Sequence, residues 1–94
     1  MTDDPRYGSI KVLIESGHIK SIREIFQFIP KTTVYKDLGI NFNRFDRAIV
    51  DPSIFKMQEL VILAEMFGVD AWKFIGMAYE QMLAYNKAKR KKGV

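Results

Sequence analysis

Apolar residues recur along the chain at intervals of three and four, the spacing that places them on one face of an α-helix. In the first half of the chain this pattern predicts helices over 9–16, 21–29 and 31–38. Their apolar positions are Ile10, Leu13, Ile14, Ile22, Ile25, Phe26, Ile29, Val34, Tyr35 and Leu38. The second half predicts three more helices, over 42–50, 57–67 and 71–89.

Capping residues set the predicted ends of these helices. Ser21 and Glu24 have the spacing of a capping box, in which each side chain satisfies a free amide of the first turn. Asn41 and Asp70 are good N-caps for the helices that follow them. Gly39 stands where a helix ends in a left-handed conformation, which glycine adopts at little cost. No alternation typical of strands appears, so the sequence predicts an all-α fold, a compact bundle of five or six mostly short helices with a longer C-terminal helix.

The stretch Gly39-Ile40-Asn41 predicts a sharp turn between two short helices, which is a helix-turn-helix arrangement. At about 100° per residue, the second helix separates into two faces with two flanking positions. The face predicted to be buried contains Asn41, Phe45, Ala48 and Ile49. The face predicted to be exposed contains Asn43, Asp46, Arg47 and Val50, and Phe42 and Arg44 lie on the flanks. Amide, guanidinium and carboxylate groups are the ones that pair with base edges in the major groove of DNA.

Composition narrows the class of protein. Ninety-four residues with 48% hydrophobic content make one domain, and the absence of cysteine suits a reducing cytosol. We expect neither a signal peptide nor a membrane span, because the apolar runs are short and the first residues are acidic. The net charge of +4 is uneven, with +3 over residues 20–56, −3 over 57–86 and +5 over 87–94. The basic central segment therefore coincides with the predicted turn.

The chain lacks the patterns that typify catalytic and metal sites. It has no cysteine and one histidine, His18, and it shows no glycine-rich phosphate loop or nucleophile elbow. We expect no enzymatic activity, no cofactor and no small-molecule substrate.

Residues 21–76 resemble a lambda-repressor-like (XRE/Cro-type) DNA-binding domain in the order and spacing of their elements. The resemblance rests on Ile25-Phe26, Lys31 to Leu38, Gly39-Ile40, Asn41 to Val50, Leu60 to Phe67 and Gly68-Val69-Asp70. The stretch IPKTTVYKDLGINFNRFDRAIVDPSIF further resembles small Bacteroides-type bacterial regulators. The resemblance implies a transcription regulator that binds double-stranded DNA and reads the major groove with helix 42–50.

The resemblance also implies roles for single residues. Positions that contact bases or phosphates in the family are occupied here by Lys31, Thr32, Asn41, Phe42, Asn43, Arg44, Asp46 and Arg47. Lys31 and Arg44 would contact the phosphate backbone. Tyr35 and Phe42 depart from the family pattern, and for Phe42 a packing role is the alternative to a base contact.

The last predicted helix carries more apolar residues than one packing face needs, which suggests a second apolar contact. We expect a homodimer with Ile75, Tyr79 and Met82 in its interface; in the alternative, Trp72 to Tyr79 only seal the core of a monomer. The predicted parts are an N-terminal extension with a short helix (1–20), the helix-turn-helix domain (21–76), and a C-terminal helix extension with a basic tail (77–94).

The functional expectation is therefore a cytoplasmic protein that is associated with the nucleoid when bound to DNA. The alternative is a protein-interaction adaptor, or an antitoxin-like regulator, that uses the same helical bundle. Surface charge distinguishes the two, because a DNA-binding protein should place Lys31, Arg44 and Arg47 on one continuous face.

Overall fold

The computed structural model describes residues 5–93, with side chains up to residue 89. Six α-helices and one 3-10 turn form this part of the chain, and it contains no strand, so the predicted all-α fold is confirmed. The helices are α1 (Arg6–Glu15), α2 (Ile22–Ile25), α3 (Lys31–Leu38), α4 (Phe42–Val50), α5 (Met57–Phe67) and α6 (Ala71–Gly93), with the 3-10 turn at Pro52–Ile54 between α4 and α5.

Local caps explain why α3, α4 and α5 begin and end where the sequence predicts. Gly39 has a left-handed φ of 80°, and its N–H donates to the carbonyl of Tyr35 at 2.9 Å. The side chain of Asn41 accepts from the N–H of Arg44 at 3.2 Å, which makes Asn41 the N-cap of α4. Gly68 ends α5 with a φ of 73°. Each cap satisfies backbone groups that the helix leaves unpaired.

The second helix is shorter than predicted. Ser21 and Glu24 form the predicted capping box, but α2 is a single turn that ends at Ile25. The amides of Phe26, Gln27 and Phe28 each bond the carbonyl three residues earlier, at 3.3, 3.2 and 3.0 Å. These tighter turns still direct Ile29 into the core. The apolar spacing is thus satisfied without a continuous α-helix.

One hydrophobic core extends from Tyr7 to Ala78 along the sequence. The segment predicted as an N-terminal extension contributes Tyr7, Ile10, Ile14 and Ile19 to this core. The ring of Tyr7 lies 5.4 Å from that of Phe67, and its hydroxyl donates to the carboxylate of Asp37 at 2.7 Å. Helix α1 is therefore packed against α5 and bonded to α3.

Helix α6 has one buried face and one exposed face. Phe74, Met77 and Ala78 are buried in the core. Trp72 and Tyr79 are 79% and 54% exposed, so these two aromatic residues do not seal the core as the monomer alternative required. Within the described residues, no helix has the length and apolar character needed to cross a membrane.

Candidate nucleic-acid interface

Helices α3 and α4 and the residues between them, 39–41, form the candidate interface, which we call the α3–α4 unit. Phe45 anchors α4 from below, because its buried ring contacts Phe26 and Phe55 edge-on at centroid distances of 5.6 and 6.0 Å. Ala48 and Ile49 continue this buried face, as predicted. Burial of one side leaves the opposite side of α4 facing solvent in a fixed orientation.

The solvent-facing side of α4 presents the polar residues that the sequence singled out. Asn43, Arg47 and Val50 are exposed, and the Nε of Arg47 donates to the carbonyl of Asn43 at 3.4 Å. This bond holds the guanidinium of Arg47 beside the first turn of α4. Asn41 was predicted on the buried face, and that prediction is wrong: as N-cap it lies before the first turn, where it is exposed.

Lys31 connects the start of α3 to the outer side of α4. Its ammonium lies 2.7 Å from a carboxylate oxygen of Asp46, and both side chains are about half exposed. An ion pair this exposed contributes little to stability, because water and salt screen it. Thr32 is exposed next to Lys31. The pair places a cation and a carboxylate side by side at the edge of the candidate interface.

Arg44 has a partner within the fold. Its guanidinium makes a bidentate ion pair with the buried carboxylate of Glu59 and also donates to the carbonyl of Ile54 at 3.4 Å. Glu59 in turn accepts from the N–H of Lys56 at 2.9 Å, which caps α5. Hydrogen bonding from Arg44 holds the pKa of Glu59 below its usual range, despite the opposing effect of burial. Arg44 therefore ties α4 to the start of α5.

The arrangement divides the predicted basic face. Arg47 lies on the outer side of α4, Lys31 is paired with Asp46 beside it, and Arg44 turns towards Glu59. The predicted contacts with DNA are not tested by this geometry and stay predictions. The two ion pairs were missed by sequence reasoning, since the partners are 15 residues apart and lie on different helices.

Phe42 packs against Tyr35, and both residues depart from the family pattern. Their rings meet edge-on at 5.0 Å, and Tyr35 also lies 6.3 Å from the ring of Phe45. Phe42 remains 38% exposed at the first turn of α4. The aromatic pair thus fills the angle between α3 and α4 and leaves part of Phe42 accessible to solvent.

Gln81 of α6 holds the C-terminal end of α4. Its side-chain amide donates to the carbonyls of Ile49 and Val50, at 2.5 and 3.3 Å, and its oxygen accepts from the N–H of Arg23 at 3.2 Å. Val50 and Arg23 line a shallow depression together with Tyr85, Ala88 and Lys89.

Two further cations therefore flank the end of α4. Sequence reasoning did not name Arg23 or Lys89 as site residues, although both lie in stretches with a basic excess. Only the packing of α2 and α6 against the end of α4 brings them together.

The three predicted interface residues of α6 lie around one apolar groove. Ile75, Tyr79 and Met82 line it together with residues from the 3-10 turn and α5, among them Phe55 and Leu60. Ile75 and Met82 are partly buried, whereas Tyr79 is exposed. The structure thus brings the three residues together on one side of α6.

No family model, curated protein or solved structure matches this chain. Among the described residues, no group of three or more histidine, cysteine, aspartate or glutamate side chains is placed to hold a metal ion.

Proposed function

We propose that the protein is a bacterial transcription regulator that binds double-stranded DNA sequence-specifically, with α4 in the major groove. The observation that carries the proposal is the solvent-facing side of α4, which presents Asn43 and Arg47 from a helix fixed by Phe45 below and by Gly39 and Asn41 at its start. An α-helix fits the width of the major groove.

The exposed groups of α4 suit readout of base edges. An asparagine amide pairs with adenine, and a guanidinium pairs with the two acceptors of guanine. Val50 offers methyl groups to a thymine methyl. Asp46 can accept a hydrogen bond from the amino group of cytosine, provided that Lys31 moves to a neighbouring phosphate. Their ion pair is exposed, so breaking it costs little free energy.

Phosphate contacts would come from two places around α4. Lys31 and Thr32 lie at the start of α3, beside Asp46 in the middle of α4, and Arg23 and Lys89 lie near the end of α4. Arg44 is left out of this set, because Glu59 holds its guanidinium. Contacts with phosphates supply affinity that does not depend on sequence and that falls with salt concentration.

The resemblance to lambda-repressor-like (XRE/Cro-type) domains supports the same proposal, including a homodimer in the cytoplasm. One short helix reads one half-site, and two copies would read half-sites about one turn of DNA apart. Paired reading raises both affinity and specificity.

Selection from a random duplex pool, followed by sequencing of the bound DNA, tests the proposal. We expect a defined site, and we expect Arg47→Ala to relax its preference at one position at a cost of about 1–3 kcal/mol. Lys31→Ala should weaken binding to all sequences and lower the salt dependence by about one unit. Lys11→Ala, which removes a positive charge on α1, is the matched control and should bind like the wild type. If Arg47→Ala and Lys31→Ala both bind like the wild type at every salt concentration, the proposal fails.

A protein-binding adaptor is the second candidate, and one observation favours it. Of the three cations expected on one DNA-binding face, Lys31 and Arg44 are ion-paired within the chain. A protein that acts only as an adaptor would retain no duplex in the selection experiment at any salt concentration.

A further inference from the structure

We infer that two copies of this chain pair through the exposed face of α6, antiparallel to each other, around Gly76. This inference deepens the proposed function, because it names the surface of the homodimer included there. The contact of Gly76 in one copy with Tyr79 in the other is its central feature.

The pairing face is an apolar stripe on the side of α6 opposite the core. Trp72, Gly76, Tyr79 and Leu83 follow one another at intervals of four, three and four residues, the spacing of a coiled-coil seam. Trp72, Tyr79 and Leu83 are 79%, 54% and 43% exposed. Large aromatic side chains are seldom exposed in a contiguous row unless another surface covers them. We call these four residues the α6 stripe.

Nothing within one copy of the chain requires glycine at position 76. Glycine in the interior of a helix makes the helix less stable than alanine would. A Cβ built on Gly76 meets no atom within 4 Å, and the residue does not have a positive φ. Neither a close approach inside the chain nor a turn therefore explains this glycine. Gly8 shares these features, but Gly76 alone lies within the exposed apolar stripe of α6, where the missing side chain leaves room for a helix of another molecule to pass close.

Antiparallel pairing of two α6 stripes matches large residues with small ones. When the two-fold axis passes between the levels of residues 77 and 78, Tyr79 of each copy opposes Gly76 of the other. Trp72 then opposes Leu83 in the same way. A two-fold interface repeats each contact, so both bulky rings are accommodated twice.

Charges beside the α6 stripe favour the same arrangement. Lys73 and Glu80 lie along one edge of the stripe, both exposed and with no ion pair to another described side chain. In antiparallel helices, equivalent edges meet, so Lys73 of one copy faces Glu80 of the other, again twice. Ile75 and Met82 meet along the opposite edge.

The basic end of the chain disfavours a parallel pair. Residues 87–94 carry a formal charge of +5. Parallel helices would bring two such segments together, whereas antiparallel helices place them at opposite ends of the pair.

The surface area that the two helices can bury sets the expected affinity of the dimer. From the exposed fractions of the stripe residues and their edges, the pair would bury on the order of 1,000 Å² in total, the small end of specific interfaces. We therefore expect a reversible dimer with a Kd on the order of 10 μM.

Sedimentation equilibrium on the full chain without DNA tests this inference with two glycine variants. Gly76→Gln should raise the dimer Kd by at least about tenfold, because the side chain occupies the space of the partner's Tyr79. Gly8→Gln is the matched control, since Gly8 also lies inside a helix with no atom within 4 Å of an added Cβ. Both variants should keep or raise the Tm of the monomer, because glutamine is the better helix former.

Charge exchange between copies tests the antiparallel register. Lys73→Glu alone and Glu80→Lys alone should each weaken the dimer, since like charges then meet. An equimolar mixture of the two variants should form a heterodimer of wild-type strength. Binding of DNA plays no part in these measurements, so failure of the proposed function would leave their outcome unchanged.

Any one of three results would overturn the inference. The first is a wild type that remains monomeric at several hundred micromolar, well above the expected Kd of about 10 μM. The second is a Gly76→Gln variant that dimerises like the wild type, and the third is a mixture of charge variants that forms no heterodimer.

Discussion

The turn of the α3–α4 unit requires a left-handed backbone conformation at one residue, Gly39. Its φ of 80° is accessible to glycine and costly for a β-branched residue, while a Cβ added there meets no atom within 4 Å. Substitution of Gly39 would therefore destabilise the protein through backbone strain and not through a steric clash.

We expect Gly39→Val to lower the free energy of unfolding by about 2 kcal/mol, which corresponds to roughly 10 °C in Tm for a domain of this size. Gly39→Asn is the control and should lose less, because asparagine tolerates a left-handed backbone. Thermal unfolding followed by circular dichroism measures both. Equal melting temperatures for the wild type and Gly39→Val would contradict the left-handed turn.

Residues whose role is local were predictable from sequence, and those with distant partners were not. Gly39, Asn41 and Gly68 act on backbone groups within four residues, so their types and spacing disclose the ends of α3, α4 and α5. The guanidinium of Arg44 has no such neighbour. Only the packing of the 3-10 turn against α4, which brings the start of α5 close, reveals Glu59 as the partner of Arg44. The sequence alone therefore led to the assignment of Arg44 to DNA.

At the scale of helices, Glu59 joins α4 to α5. It accepts from Arg44 on one side and from the first turn of α5 on the other. Because its pKa in the folded protein is lower than the ordinary value of 4.5, folding favours the ionised form. The resulting stability is present above that ordinary pKa and is lost as the pH falls through the lower folded value.

We expect Glu59→Gln to lower the free energy of unfolding at neutral pH by about 1–2 kcal/mol. The variant should also show a shallower loss of stability on acidification than the wild type, since the titrating carboxyl is gone. Urea unfolding at a series of pH values measures both effects. Glu65→Gln on the exposed side of α5 serves as the control. Identical pH profiles for the wild type and Glu59→Gln would refute a stabilising role for the ion pair.

Helix periodicity was a poorer guide to α2 and α6 than to α3, α4 and α5. Apolar residues at 22, 25 and 29 suit a helix, but a single turn followed by tighter turns buries them equally well. On α6, apolar residues occur around most of the helix, so the sequence did not show that Phe74 is inside and Trp72 is outside. Where every side of a helix is apolar, its neighbours decide which side is buried.

The whole molecule depends on α1 for its core. Tyr7, Ile10 and Ile14 are buried against the rest of the bundle, although the sequence suggested that residues 1–20 form an extension. Burial of three such side chains contributes about 5–9 kcal/mol, which approaches the total stability of a small domain.

We expect a chain lacking residues 1–20 to be largely unfolded at 25 °C, because the deletion exposes Phe67 and its neighbours. Far-ultraviolet circular dichroism and urea titration measure this. Deletion of residues 1–4 alone is the control and should retain cooperative unfolding. A cooperative transition of wild-type midpoint in the longer deletion would establish 21–94 as an independent domain.

The hydrogen bonds of Gln81 have a consequence for the spacing of the two DNA half-sites that a dimer could bind. One side chain bonds two carbonyls at the end of α4 and an amide of α2, so rotation of α6 relative to α4 would break these bonds. If α6 joins two copies and α4 reads DNA, the separation and rotational phase of the two reading helices become a property of the protein. An operator lengthened by about five base pairs would turn its second half-site to the far side of the duplex. The bonds of Gln81 oppose the rotation that would be needed to follow it, so the protein would recognise the spacing between half-sites as well as the bases.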